Sequence, residues 1–452
     1  MSNALASPNR GHAVVIGGSM AGLLAARALA DHFARVTLLE RDTLPDGPES
    51  RKGTPQARHA HVLLTAGRQA LEQLLPGLMG ELITAGALDF DALQDLDWMT
   101  SAGWGVRFPS AIRLLGATRD FIEWGIRRRI LADARITVRP QSDATTLRLD
   151  PTGRRVAGLT IDDRGAGTVG VSLDADLVVD AAGRGSRTPQ WLKAAGFDVP
   201  RETVVNGFLG YSSRFVRPPA GWKGDWKGMY VQTAPPRNRR GGVIMSVEGG
   251  RWLVTVVGGG KDYPPSDEAG FRDFARSLPD LRFAEAYEAA EPLTAIASTK
   301  TTENRLRHYE ELTQRPEGLL VTGDAACAFN PVYGQGMSTA AVGAVTLGES
   351  LRRHGAGPLD GLAASFQKAL ARANGRAWLL ATGEDYRYAE VEGPPPGRLQ
   401  RLMHRYVDRV TTLAARSRRV RLLFMEVLHL IRSPASLFSP DVLARALFTR
   451  PS

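Results

Sequence analysis

Gly17, Ser19 and Gly22 stand at the spacing of a glycine-rich turn between a strand and a helix. In such a turn the first glycine bends the chain, the second lets the backbone approach a pyrophosphate, and the third permits close helix–strand packing. Free N–H groups at the helix start, aided by the helix dipole, hold the anion. Here a serine takes the middle place, Gly18 beside it supplies room, and Met20 and Ala21 complete the turn. Glu40, followed by Arg41, closes the next apolar run, where a carboxylate can accept both hydroxyls of an adenosine ribose. Together these residues predict dinucleotide binding. A nucleophile elbow, the competing chemistry, wants glycine where Ala21 sits.

The turn does not choose between dinucleotides, but a later motif does. Gly323-Asp324, then Pro331 and Gly334-Gln335-Gly336-Met337, put a carboxylate at a strand end and a helix N-terminus shortly after it. That carboxylate can hydrogen-bond ribityl hydroxyls, and the helix start can stabilise the negative charge of a reduced flavin ring. NAD has no ribityl chain, so the expected cofactor is FAD.

Three short apolar runs must position these groups: Ala13 to Ile16, Leu177 to Val179 and Leu319 to Val321, each ending in a glycine-containing turn. The first continues into the helix former Leu23 to Ala30 and the run Val36 to Leu39, a strand–turn–helix–strand unit that opens a parallel sheet. Phe208 to Val216 and Gly228 to Val257 alternate instead and carry turn signals, as antiparallel strands do. The expected fold class is α/β: a Rossmann-like cofactor domain, an antiparallel β-sheet substrate domain and C-terminal helices. The expected boundaries are 1–78, 110–190 and 290–376 for the first, 79–109 and 191–289 for the second, and 377–452 for the helical region. Between Arg398 and Arg421 there are eight arginines and one acidic residue, Asp408, while Leu402, Met403, Tyr406, Val407, Val410 and Leu413 recur at helical spacing. That pattern predicts an amphipathic helix packed on the body with a solvated basic face, reached through the linker Pro394-Pro395-Pro396.

Composition narrows the function. The chain has 452 residues, 43% hydrophobic and 23% charged, which suits a globular enzyme of more than one core. The single cysteine, Cys327, excludes an intrachain disulfide and a cysteine-rich metal site. His59 and His61 lack carboxylate or thiolate neighbours, so no metal is expected, and flavin-side contact is their favoured role. The net charge of +10 is carried by 57 basic residues, of which only seven are lysine. This bias fits a GC-rich genome better than a nucleic-acid partner. No apolar run has the length of a membrane span, and Met1 to His12 lack the charged-then-apolar pattern of a leader, so a cytoplasmic location is expected.

The sequence resembles the single-component FAD-dependent monooxygenases of the p-hydroxybenzoate hydroxylase and squalene epoxidase type, nearest to polyether-type flavin epoxidases of natural-product biosynthesis. The resemblance spans about Ala13 to Asp385. It rests on Val15 to Leu23, Glu40-Arg41-Asp42, Arg51 to His61, Gly103-Trp104 with Arg107-Phe108-Pro109, Asp180 to Arg187, and Gly323 to Ser338. It implies a cofactor domain of the GR2 type, with pyrophosphate at Gly17 to Gly22 and adenosine ribose at Glu40 with Arg41 beside it. It implies flavin contacts from Lys52, Arg58, His59 and Ala60, a cofactor contact from Arg119, a ribityl contact from Asp324, and a flavin border formed by Pro331, Gly334, Gln335, Gly336 and Met337. His61, Trp104, Phe108, Tyr230 and Trp252 are the substrate-pocket candidates, and no side chain is assigned as catalytic. In one departure Ala182 precedes Gly183 where the family usually has aspartate, a position serving FAD and NAD(P)H together.

The activity the resemblance implies is oxygen transfer from a flavin hydroperoxide to an alkene of a polyketide-like small molecule, with molecular oxygen and NADPH or NADH consumed. Epoxidation needs no side-chain base, whereas phenol hydroxylation does, and no base is legible. The rivals are an aromatic hydroxylase, an FAD-binding but redox-silent [4+2] cyclase, which Ala182 also fits, and a prenyl-chain reductase that would saturate the double bond.

Overall fold

The computed structural model describes residues 10–300 and 302–448. The stretches 1–9 and 449–452 of the expected domains, and the side chain of Leu402, lie outside the described residues.

The three apolar runs are neighbours in one five-stranded parallel sheet. Its order is Leu319–Val321, Leu177–Asp180, Arg10–Ile16, Phe33–Leu39 and Ile136–Arg139. Ala13 pairs with Leu177 and Val14 with Thr37, and the inner strand residues are wholly buried, as continuous β-branched runs in a covered parallel sheet should be. The helix Met20–Ala30 buries nine of its 11 residues and packs against the long helix Gly336–His354. Because the strands run parallel, the turns after Ile16, Asp180 and Val321 emerge at the same edge of the sheet, where ligands of doubly wound folds collect. A three-stranded antiparallel meander, Ser142–Leu149, Val156–Asp163 and Thr168–Asp174, completes this half; the sequence reading had no separate place for it.

The second sheet has eight strands, and Gly210–Arg217, Arg251–Gly258, Arg240–Val247 and Gly228–Val231 form its antiparallel centre. One pairing departs from the antiparallel expectation: Leu96–Thr100 joins Gly228–Val231 in parallel. A strand arriving from a distant segment is free to add in either sense, since no hairpin fixes its direction. Helix Leu362–Asp385 leads through exposed Pro394 and Pro395 to helices Arg398–Arg416, Arg418–Leu428 and Pro440–Phe448. Val410, Ala414, Val420 and Met425 of these helices are buried in the same core as Phe90, Trp98 and Met245. The terminal helices thus pack on the second sheet, while Arg405, Arg416, Arg418 and Arg419 stay exposed.

Candidate functional site

The first glycine turn is shaped by backbone contacts that leave no room for side chains. Gly17 has φ +99°, and a Cβ on Gly22 would lie 1.7 Å from the Gly17 carbonyl oxygen. Ser19 takes the middle position without filling the approach, because its hydroxyl turns aside to donate to Glu123 at 3.0 Å and accepts from Arg119 at 2.6 Å. The third motif meets the first directly: a Cβ on Gly323 (φ +59°) would lie 2.5 Å from the Ala21 methyl. Asp324 therefore stands beside the turn that begins 307 residues earlier in the chain, at Gly17. Burial pushes its carboxyl up, partly opposed by Arg184 and Arg119.

Around the turn lies a cluster that the sequence reading only partly found. Glu40 is 5% exposed and accepts from the backbone N–H of Gly18 at 2.8 Å and of Asp42 at 2.9 Å. Its first task is thus to hold the turn, and lone pairs remain for a further donor. Arg51 reaches Glu40 and Asp42 at 3.2 Å each and Glu123 at 3.0 Å. Arg119 pairs with Glu123 at 2.9 Å. Burial pushes the Glu123 carboxyl up, yet Arg119 and Arg51 together hold it below the usual range. Of the expected contacts in this region, Met20 is buried, whereas Arg41, Lys52 and Arg58 are exposed. Arg51, next to Lys52, is the basic side chain that enters the cluster. Its place at the start of the Arg51–His61 segment was visible in sequence, but the choice between adjacent cations was not.

His59 is buried against Ser213 (2.8 Å) and the edge of Tyr211, and Ser213 in turn meets Thr255 at 2.7 Å. Burial, with Arg58 nearby, lowers its pKa to about 4. Ala60 donates its N–H to Thr255 at 3.3 Å. His61 turns back on the His59 carbonyl at 2.9 Å, and burial, with Arg119, lowers its pKa to about 3. The Nδ1 atoms of the two histidines thus have different partners, the Ser213 hydroxyl and the His59 carbonyl.

Beyond this segment opens a cavity of about 1010 Å³. Ala60, Val62 and the loop Pro331 to Gln335 bound one side, Leu96, Trp98, Tyr230, Val243 and Met245 the sheet side, and Met403, Tyr406, Val407 and Phe424 the helical side. The terminal helices therefore close the cavity instead of packing beside it. Tyr230 is the one substrate-pocket candidate among its lining residues. Trp252 packs against Trp222 and Trp226 in the core on the sheet's other face. Phe108 is buried beneath Arg418, and Trp104 donates to Asp280 at 2.7 Å under Arg282. Alternation in a strand decides which aromatic faces a cavity, and sequence cannot tell which face will be covered.

Polar groups also enter this wall. Glu384, Arg387, Asp408 and His404 line it; Arg387 reaches Glu384 at 3.2 Å and Asp408 at 2.7 Å. Burial raises the Glu384 carboxyl and lowers the His404 imidazole, the latter with help from Arg387. The lack of a legible base therefore does not carry over to the structure. The loop itself is pinned from behind by Asp385, which is fully buried. Asp385 accepts from Asn304 Nδ2 at 2.6 Å, from Asn330 Nδ2 at 3.3 Å and from the Tyr333 hydroxyl. Neither Asp385 nor either asparagine was a candidate, because no local motif marks a network joining three distant segments.

The cleft fits a large polar cofactor on its own geometry. Arg119 Nη1 and Gln335 Oε1 are buried without a hydrogen-bond partner among the described residues, and native folds rarely leave such atoms unmatched. A Cβ on Gly336, at the start of the long helix, would meet nothing within 4 Å. Donors beside the glycine turn, a carboxylate at Asp324 and open space at a helix N-terminus together match the parts of FAD.

No family model matches the chain. It is 32% identical over 391 residues to Protein Rv3254 of Mycobacterium tuberculosis, a match covering 85% of this chain and 82% of that protein. The chain belongs to the Rv3254 family. This Rv3254-family chain is also 28% identical over 368 residues to kynurenine 3-monooxygenase of Salinispora arenicola, covering 76% of this chain and 73% of the relative. Among solved structures it is similar to the flavin-dependent brominase Bmp2, with TM-score 0.67 and 15% identity over 96% of this chain and 98% of that one. It is similar as well to PqsL of Pseudomonas aeruginosa, a probable FAD-dependent monooxygenase, with TM-score 0.61 and 16% identity over 84% and 98%. The fold of this Rv3254-family member is that of the FAD-dependent monooxygenases. Among the described residues no helix is long and apolar enough to cross a membrane.

Proposed function

We propose that the protein holds FAD between the Gly17–Gly22 turn and the Asp324–Met337 segment and oxygenates an apolar small molecule enclosed in the cavity. The observation that carries this reading is the adjacency of the two: the loop Pro331 to Gln335 borders the cavity, and Gln335 is the N-cap of the helix whose start lies open. When bound, FAD would supply the activation of molecular oxygen, with NADPH or NADH as reductant. Arg119 and the N–H groups of the turn would hold the pyrophosphate, and Asp324 the ribityl hydroxyls. Ala60, Val62 and the terminal helices would keep water from the reacting carbon, which a reactive oxygen donor requires. Leu96, Trp98, Val243 and Met245 offer an extended apolar wall suited to a polyene-like chain, which supports alkene epoxidation on a polyketide-like substrate as the preferred reaction.

The test is the visible spectrum of the purified protein, followed by oxygen and NADPH uptake against a panel of linear polyenes. Coupled uptake with a product heavier by one oxygen atom is expected. Turnover without either co-substrate would identify a redox-silent cyclase. Asp324→Ala is expected to fold yet bind FAD about tenfold or more weakly, since hydrogen bonds to a charged group contribute roughly 1.5–3 kcal/mol. Undiminished flavin retention would overturn the assignment of Asp324.

A further inference from the structure

Arg421, on the helix Arg418–Leu428, differs from the exposed arginines around it in being only 2% exposed. Its Nε and Nη2 are buried and have no hydrogen-bond partner among the described residues. The carboxylate that acts on it through space, Asp97, is already engaged by Arg107 at 3.2 Å. The ring of Trp98 lies 5.8 Å away, near the outer limit of a cation–π contact. Burial accordingly drags the guanidinium pKa down to about 10. A cation removed from water without an acceptor is costly, and an apolar replacement would ordinarily be favoured. A use for the charge is therefore to be sought nearby.

Beside the guanidinium is a void of about 10 Å³, at the lower limit of the room a single water needs. Thr100, Thr411, Trp98, Phe424 and Met425 line it, and all five residues also line the large cavity. The void is thus a recess in the cavity's back wall, with one unpaired positive charge at its end. We propose that this recess is an anion site, in which a monatomic anion such as chloride is held by Arg421 Nε and Nη2. The carboxylate of a molecule lying in the cavity presents the same chemistry. The free halide is the smaller of the two occupants and asks the recess to widen least, so it is the occupant proposed. This inference does not depend on the flavin reading.

The experiment uses the 452-residue chain as purified, in halide-free gluconate buffer. Chloride and bromide are titrated at constant ionic strength while the melting midpoint is followed. A saturable upward shift is expected, as for any ligand that binds only the folded state. The shift should vanish in Arg421→Met and Arg421→Gln, and Arg421→Met should melt above wild type in halide-free buffer. Should the methionine variant fail to fold, the glutamine variant carries the same comparison. Saturable bromide quenching in wild type that is lost in Trp98→Phe is a readout independent of Arg421 variants. A second arm compares decanoate with decanol: a decanoate-specific shift that competes with chloride assigns the site to a cavity ligand's carboxylate, and no such shift assigns it to free halide. Absence of any response to halide and to decanoate, as for a recess holding water alone, or an unchanged response in both Arg421 variants, overturns the proposal.

Discussion

At the glycine turns, charge is arranged in pairs and triples. Arg51 answers Glu40, Asp42 and Glu123, and Arg119 answers Glu123. Across the loop Pro331 to Gln335, the cavity wall is made of Leu96, Trp98, Val243, Met245 and Phe424, with charge gathered at Glu384, Arg387 and Asp408. The first region recognises by position: each group is fixed by a neighbour, and backbone approach does the rest. The second recognises by volume and exclusion of water. Such regions respond differently to substitution. Damage to the positioned region should remove cofactor and stability together, while damage to the apolar region should remove turnover and spare both.

The largest effect is expected at Gly22. A methyl group there would meet the Gly17 carbonyl oxygen at 1.7 Å and its carbon at 2.9 Å, backbone atoms that cannot swing aside. Gly22→Ala should cost about 3 kcal/mol or more, seen as a large drop in the melting midpoint by circular dichroism, and should abolish the yellow colour. A variant that melted like wild type and kept its flavin would mean that this turn is not the rigid element that separates the two regions.

The complementary substitution is Val243→Trp. Val243 lines the cavity midway along the central strand Arg240–Val247 and pairs with Tyr230 and Thr255. An indole there would fill space without touching the glycine turns. Stability should change by no more than about 1–3 kcal/mol, and the flavin spectrum should be retained. Turnover of the best polyene should fall at least about tenfold, mostly through a higher KM if the indole blocks binding without disturbing the reacting geometry. Loss of flavin in this variant would show the regions to be coupled through the shared loop.

The same contrast explains what the sequence disclosed. Strand–turn–helix punctuation is local, so the parallel sheet and its three turns could be anticipated from Ala13 to Ile16, Leu177 to Val179 and Leu319 to Val321. Glycine spacing and the Asp324 turn were legible for the same reason. The cavity was not, because its walls come from Leu96–Thr100, Arg240–Val247 and Arg398–Arg416, elements far apart in sequence. Trp252 and Tyr230 look alike as strand aromatics, yet one meets Trp222 and Trp226 and the other faces the cavity. The arginine run Arg398 to Arg421 looked uniformly solvated, and only packing reveals that Arg421 is buried.

The smallest effect on cofactor content, and the one that probes the seam between the regions, concerns Asp385. Burial, partly opposed by hydrogen bonds from Tyr333 and Asn330, pushes its carboxyl up to about 7, with Glu384 adding to the rise and the Gly207 N–H opposing it. In the unfolded chain it titrates near the ordinary carboxylate value. Between about pH 4 and 7 the folded protein keeps a proton that the unfolded chain has released. This contribution to stability is full below that window and is lost as pH rises through 7. His59, His61 and His429 act in the opposite sense, because their pKa values fall to about 4, 3 and 4. Their contribution is present at neutral pH and is lost as pH falls from about 6.5. A single melting curve therefore mixes the two signs, and Asp385→Asn separates them. The asparagine does not titrate, so its stability should climb more steeply than wild type from pH 4 to 7. The gap between the two proteins should shift by roughly 3 kcal/mol across the window, with flavin content little changed. Parallel profiles would mean that Asp385 stays ionised in the fold and that Tyr333, Asn330 and Asn304 hold it as a carboxylate, making the loop's anchor part of the charge-paired region after all.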